Sequence, residues 1–75
     1  MKLGNQNIPG LVKEVRKQLG LSQEDLAHAL GISFATINRW ENGKTLPSKL
    51  ARTHLKMFCD QKEAQGLLII DQGEK

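Results

Sequence analysis

A glycine stands between Leu30 and Ile32, with apolar residues at helical spacing on both sides of it. Inside one continuous helix Gly31 costs about 0.8–1.0 kcal/mol relative to alanine, whereas just past a helix end it adopts the left-handed conformation without steric cost. Upstream, Leu26, Ala27 and Leu30 form one apolar stripe; downstream, Ile37 and Trp40 form another, and Ser33 lies between as a fresh N-cap. Two helices joined by about three residues are therefore expected. A connection that short makes them cross steeply, at about 90–120°. The crossing needs a small residue at the point of contact, and Ala27 is placed to supply it.

The flanking segments extend the pattern. Leu11, Val15 and Leu19 recur every four residues with Val12 beside them, predicting a first helix from Pro9 or Gly10 to a stop at Gly20. Ser22 opens SQED, a capping box with Asp25 in place of the usual glutamate, and starts the second helix. The third helix runs to a C-cap at Gly43, and a loop over 44–47 leads to a fourth, starting near Pro47 or Ser48 and reaching about Gln65. On that helix Leu50, Ala51, Leu55 and Phe58 share an apolar face, with Lys49, Arg52 and Lys56 mostly off it. Residues 1–8 lack periodicity and are expected to form a flexible arm, with the domain over 9–65. In the tail, 66–75, the run LLII at 67–70 is either a strand or an apolar hook that something must bury.

At 75 residues the chain has room for one small domain, which buries only ~60% of its unfolded surface and leaves little space for an enclosed active site. The longest apolar run is four residues and the N-terminus has no signal-peptide core, so a soluble, cytoplasmic protein with no membrane partner is expected. Cys59 is the only cysteine, and neither it nor His28 or His54 has neighbours at metal-ligand spacing, so no metal or cofactor is expected. Glu24 and Asp25 lack a partner base, no glycine-rich phosphate loop appears, and no nucleophile has a matched histidine; enzymatic activity is not expected.

The net charge of +3 is unevenly spread. Lys2, Lys13, Arg16 and Lys17 make residues 1–20 basic, and Lys44, Lys49, Arg52 and Lys56 stand without an acid in residues 44–58. The segment between them is slightly acidic. Two basic segments around such a centre suit a polyanion gripped from both sides, and equally suit ordinary solvated lysines.

Residues 22–43, SQEDLAHALGISFATINRWENG, resemble the helix-turn-helix of the phage-repressor and Cro type, a xenobiotic-response-element-like family. Leu26, Leu30, Ile32, Ile37 and Trp40 take its core positions, Ala27 the crossing, Gly31 the turn, and Gln23 and WENGK its landmarks. The resemblance covers about 50 residues once the first and fourth helices are included. It implies an all-α fold: a small bundle of four to five short helices around a central helix-turn-helix, similar to the lambda repressor domain. It also implies sequence-specific binding of double-stranded DNA in transcriptional regulation.

In that family the third helix enters the major groove, and repressors of this type are themselves the reference case for the docking geometry. Excluding the core positions leaves Phe34, Ala35, Thr36, Asn38 and Arg39 toward base edges. Arg39 suits a bidentate contact to guanine, Asn38 an adenine or a phosphate, and Phe34 and Ala35 thymine methyls in place of the family's polar readers. Phosphate contacts carry over to Gln23, Ser33, Asn42 and Lys44, and extend to Lys49 and Arg52. The family's pairing of a basic residue in the first helix with the glutamate of the WE pair falls on Arg16 and Glu41, which implies a structural ion pair. Trp40 is expected in the core, His28 and His54 at the surface, and Cys59 as a small buried hydrophobe.

The alternative is a protein-interaction or targeting module, antitoxin-like or part of a larger protein, in which residues 67–70 add to a partner or across a homodimer. A family fifth helix, often tied to dimerisation, has no clear counterpart here.

Overall fold

The computed structural model describes residues 7–70, which form four helices: α1 (Ile8–Leu19), α2 (Gln23–Leu30), α3 (Phe34–Glu41) and α4 (Lys49–Ala64). Each start is capped by a side chain from the preceding residue. The Asn7 side-chain oxygen accepts Gly10 N–H at 3.2 Å, and the Ser22, Ser33 and Ser48 hydroxyls accept Asp25, Thr36 and Ala51 N–H at 2.9–3.1 Å. The capping box at α2 closes reciprocally, since Ser22 N–H donates to the Asp25 carboxylate at 3.1 Å.

Gly31 has φ +72°, the left-handed conformation, so the chain is broken there and does not run on as one helix. Gly31 N–H reaches His28 O and Ile32 N–H reaches Ala27 O at 3.0 Å, the paired bonds of a Schellman stop. The same paired bonds close α1, α3 and α4 at residues 20–21, 43–44 and 66–67. A left-handed glycine ends each helix, and after two of them the next residue turns inward: Leu21 and Ile32 lie partly buried against the core, whereas Leu67 after Gly66 stays exposed.

That core gathers Leu11, Val12 and Val15 of α1, Leu26 and Ala27 of α2, Ile37 and Trp40 of α3, and Leu55 and Cys59 of α4. α3 packs against both α1 and α2, and α2 touches α4. Burial pushes the Cys59 thiol up to about 12, with Glu63 and Asp60 adding to the effect, so it stays protonated and packs as an apolar group.

Three expectations shift. The segment assigned to an arm, 1–8, loses its last residues: Asn7 caps α1, and Ile8 is helical and buried because Pro9 suits the first turn; residues 1–6 lie outside the described residues. Leu30 and Ile32 are only partly buried, since the turn holds them at the rim of the core. Leu50 is 68% exposed, because the buried face of α4 is centred on Leu55 and Cys59 and Leu50 falls on its other side. Finally, two open alternatives close: residues 67–70 form no strand, and of the expected four to five helices four are present, with no fifth among the described residues.

The apolar run is instead a hook that its own domain covers. Leu68 is buried in the core, while Leu67 and Ile69 point to solvent. The Gln18 side chain pairs with Ile69 as a strand neighbour does, accepting its N–H and donating to its carbonyl, both at 2.8 Å. Ile70 N–H donates to the Glu63 carboxylate at 3.3 Å. The folded unit thus extends past Gln65 to Ile70.

Candidate nucleic-acid interface

α3 owes its position to the pair beneath it. Arg16 on α1 meets Glu41, at the end of α3, through two parallel bonds: Nε to Oε2 at 2.6 Å and Nη2 to Oε1 at 2.9 Å. Arg16 Nη1 also donates to the Leu21 carbonyl at 3.1 Å, so one guanidinium ties α1, the α1–α2 turn and α3 together. Glu41 is buried, which opposes its ionisation; the hydrogen bonds from Arg16 and Gln23 outweigh that and hold its carboxyl below the usual range. The Arg16 guanidinium is raised in turn, mainly by its hydrogen bond to Glu41.

The network continues through amides. Gln23 Nε2 donates to Glu41 Oε1 at 3.0 Å, Asn38 Nδ2 donates to Gln23 Oε1 at 3.3 Å, and Asn42 Nδ2 donates to Asn38 Oδ1 at 3.0 Å. One chain of polar contacts therefore joins α1, the start of α2, and the middle and end of α3. Sequence reading assigned Gln23 and Asn42 to phosphate and Asn38 to a base. The structure brings the three together and engages them with one another. Gln23 as a bridge between Glu41 and Asn38 was not anticipated; the only local trace is the Asn38–Asn42 spacing of one helical turn.

The outward side of α3 follows from which residues it buries. Ile37, Trp40 and Glu41 are buried, leaving Phe34, Ala35 and Arg39 exposed and Thr36 and Asn38 half-buried. Ala35 and Arg39 lie four residues apart on one side. Ser33 Oγ and Thr36 Oγ1 bond each other at 2.9 Å, so each hydroxyl has a partner within the first turn of α3. That first turn holds no acid, and its remaining N–H groups give it a partial positive charge.

Around this helix, Lys44 is exposed just after the α3 stop, and Asn42 is exposed beside it. Lys49, Arg52, Thr53 and Lys56 line a shallow cleft of about 390 Å³ on α4. Lys56 is paired with Asp60 at 2.8 Å in an exposed i,i+4 bridge, while Lys49 is exposed and Arg52 half-buried. A second cleft, about 440 Å³, is lined by Ala29, Leu30, His54, Met57, Phe58 and Gln61, and is more apolar. Among the described residues no group of His, Cys, Asp or Glu is placed to hold a metal ion, and no helix is long and apolar enough to cross a membrane.

Comparison with known proteins agrees with this geometry. The helix-turn-helix family profile matches residues 12–50, which run from α1 across α2 and α3 into α4. An HTH-type transcriptional regulator of Methanothermobacter thermautotrophicus, itself uncharacterized, is 32% identical over 62 residues, covering 83% of this chain and 90% of the relative. The type II methyltransferase M1.ScrFI of Lactococcus lactis subsp. cremoris is 49% identical over 51 residues, 64% of this chain but 13% of the relative. The type II methyltransferase M.SsoII of Shigella sonnei is 44% identical over 45 residues, 56% of this chain and 12% of the relative. The chain thus matches about an eighth of each methyltransferase's length. No solved structure matches. A left-handed stop between two serine-capped helices, an aromatic core residue followed by a buried glutamate, and a profile match across all of them have one explanation: the chain belongs to the helix-turn-helix family of the Cro and repressor type, and is one of its DNA-binding domains.

Proposed function

We propose that the chain regulates transcription by binding double-stranded DNA sequence-specifically, with α3 in the major groove. The observation that carries this reading is the outward face of α3: Arg39 is exposed on a helix whose opposite side is fixed by the pair of half-buried Arg16 and buried Glu41. Arg39 takes a base edge, where a bidentate contact to guanine contributes about 1–3 kcal/mol of discrimination. Phe34 and Ala35 flank it, with Thr36 and Asn38 toward the same groove. Lys44, Lys49 and Arg52 take phosphates, joined by Asn42 and by the helix starts at Gln23 and Ser33.

Binding measured on a selected and a random duplex across a salt series tests the assignment. Arg39→Ala should lower affinity for the selected duplex and leave the random one nearly unchanged. Lys44→Ala should weaken both alike and reduce the salt slope by about 0.9. Equal losses from both variants on both duplexes would remove these roles.

The domain acts in the cytoplasm, either as a homodimer or joined to a further protein domain. The exposed apolar side chains Leu46, Leu50 and Met57 support self-association, and a dimer of this kind reads half-sites about 34–36 Å apart. The joined arrangement is supported by the two methyltransferase relatives, each of which is far longer than the matched region. Sedimentation with and without a duplex carrying an inverted repeat separates them: a dimer doubles in mass on the repeat, and a targeting domain binds one half-site as a monomer.

A further inference from the structure

The placement of α3 in a major groove, on which the following rests, does not by itself say which feature of a base pair this helix recognises. Four polar side chains stand between Ser33 and Arg39, and three of them are engaged within the molecule. The Ser33 and Thr36 hydroxyls bond each other, and Ser33 Oγ also caps Thr36 N–H. The Asn38 amide donates to Gln23 and accepts from Asn42. The Arg39 side chain alone among the four is exposed with no hydrogen bond or ion pair to the described residues.

What else faces outward is apolar. Phe34, at the first position of the helix, is 49% exposed, and Ala35 next to it is exposed as well. In a major groove the apolar group offered by a base edge is the methyl at position 5 of a pyrimidine. Side chains on a helix lean toward its N-terminus, so Arg39 leans over Ala35, one turn earlier on the same side. The short Ala35 side chain leaves room for the guanidinium above it and for a methyl group beside it.

We propose that α3 recognises the 5-methyl group of a pyrimidine that adjoins a guanine, Arg39 bonding guanine O6 and N7 while Phe34 and Ala35 cover the methyl. Thymine and 5-methylcytosine carry that methyl in the same place. They differ at position 4, where thymine offers an acceptor and 5-methylcytosine a donor. A helix with free amide or hydroxyl readers senses position 4. This one, with those groups turned to each other, senses the methyl.

The test starts from the duplex preferred in a selection from a random pool. Each thymine in it is replaced singly by uracil, and each T·A pair by 5-methylcytosine·G or cytosine·G, with affinity read at one fixed salt concentration. At the contacted position, loss of the methyl from thymine should weaken binding about four-fold, the equivalent of one buried methyl group. At that position 5-methylcytosine should bind more tightly than cytosine by a similar factor. Phe34→Ala should bring both ratios toward one without moving the thermal midpoint, since its ring is half in water. A thymine preference with no 5-methylcytosine preference identifies thymine as the source and keeps the methyl as the ligand. Equal binding of thymine and uracil at every position overturns the methyl assignment and leaves sequence-specific binding standing. A pool that yields no preferred sequence removes both.

Discussion

α2 and α3 are the same length, eight residues each, and are built from nearly the same local signals, yet they become different objects. Each starts under a serine hydroxyl and stops at a left-handed glycine. Their outward surfaces separate them. α2 places Glu24 and Asp25 in its first turn, where negative charge stabilises the helix through its dipole but opposes a phosphate at the same end. α3 has no acid in its first turn and turns Phe34, Ala35 and Arg39 to solvent. Caps and stops make a helix; the residues left outside decide what it meets.

That comparison can be broken first at its base. Arg16→Ala strands the buried Glu41 carboxylate and should cost about 3–5 kcal/mol, measured by urea unfolding. A loss below about 1 kcal/mol would mean that α3 is held by its apolar contacts alone. The same pair sets an acid limit. The folded-state pKa of Glu41 lies below its unfolded value of about 4.3, so its contribution is complete above that pH and is lost as pH falls through the folded value. Glu41→Gln should flatten this part of a melting-temperature titration.

The two helices should respond alike where they are buried. Leu26→Ala in α2 and Ile37→Ala in α3, both fully buried, should each cost about 2–5 kcal/mol. A cost at Ile37 far below that at Leu26 would show a recognition helix loosely seated on the bundle. At the joint, Gly31→Ala meets no steric obstacle, since nothing lies within 4 Å of an added Cβ. Its cost should therefore be that of left-handed backbone alone, about 1–2 kcal/mol in thermal melts.

The smallest effects sharpen the contrast most. Ser22→Ala and Ser33→Ala each remove one cap and should cost about 1 kcal/mol. Ser33→Ala also frees the Thr36 hydroxyl toward the groove, so it should alter base preference, read by competition between duplexes, whereas Ser22→Ala should not.

The helix ends were legible because their signals are local. Serines three residues before the N–H groups they cap, and glycines one or two residues past the last turn, act within a few positions of the chain. The stretch 22–43 is dense in such signals, which is why its fold and family could be read directly. Leu50 and residues 67–70 were not legible in the same way. Leu50 satisfies the apolar spacing of α4 yet stays exposed, and Leu68 is buried in a core assembled from distant segments, with Gln18, 51 residues before Ile69, pairing with the backbone beside it.

The sequence by itself determined where α2, α3 and α4 start and where all four helices stop, because serine caps and left-handed glycines are settled over three or four residues; the Asn7 cap of α1 became visible only with Ile8 in the core. Only the tertiary structure decided which polar groups of α3 remain free for a ligand. Gln23 of α2 comes together with Asn38 and Glu41 of α3, and hydrogen bonds over 15 and 18 residues of chain have no local signature. The same distance dependence put Leu68 into the core: a short apolar run can be buried by any surface that reaches it, and packing alone selects which.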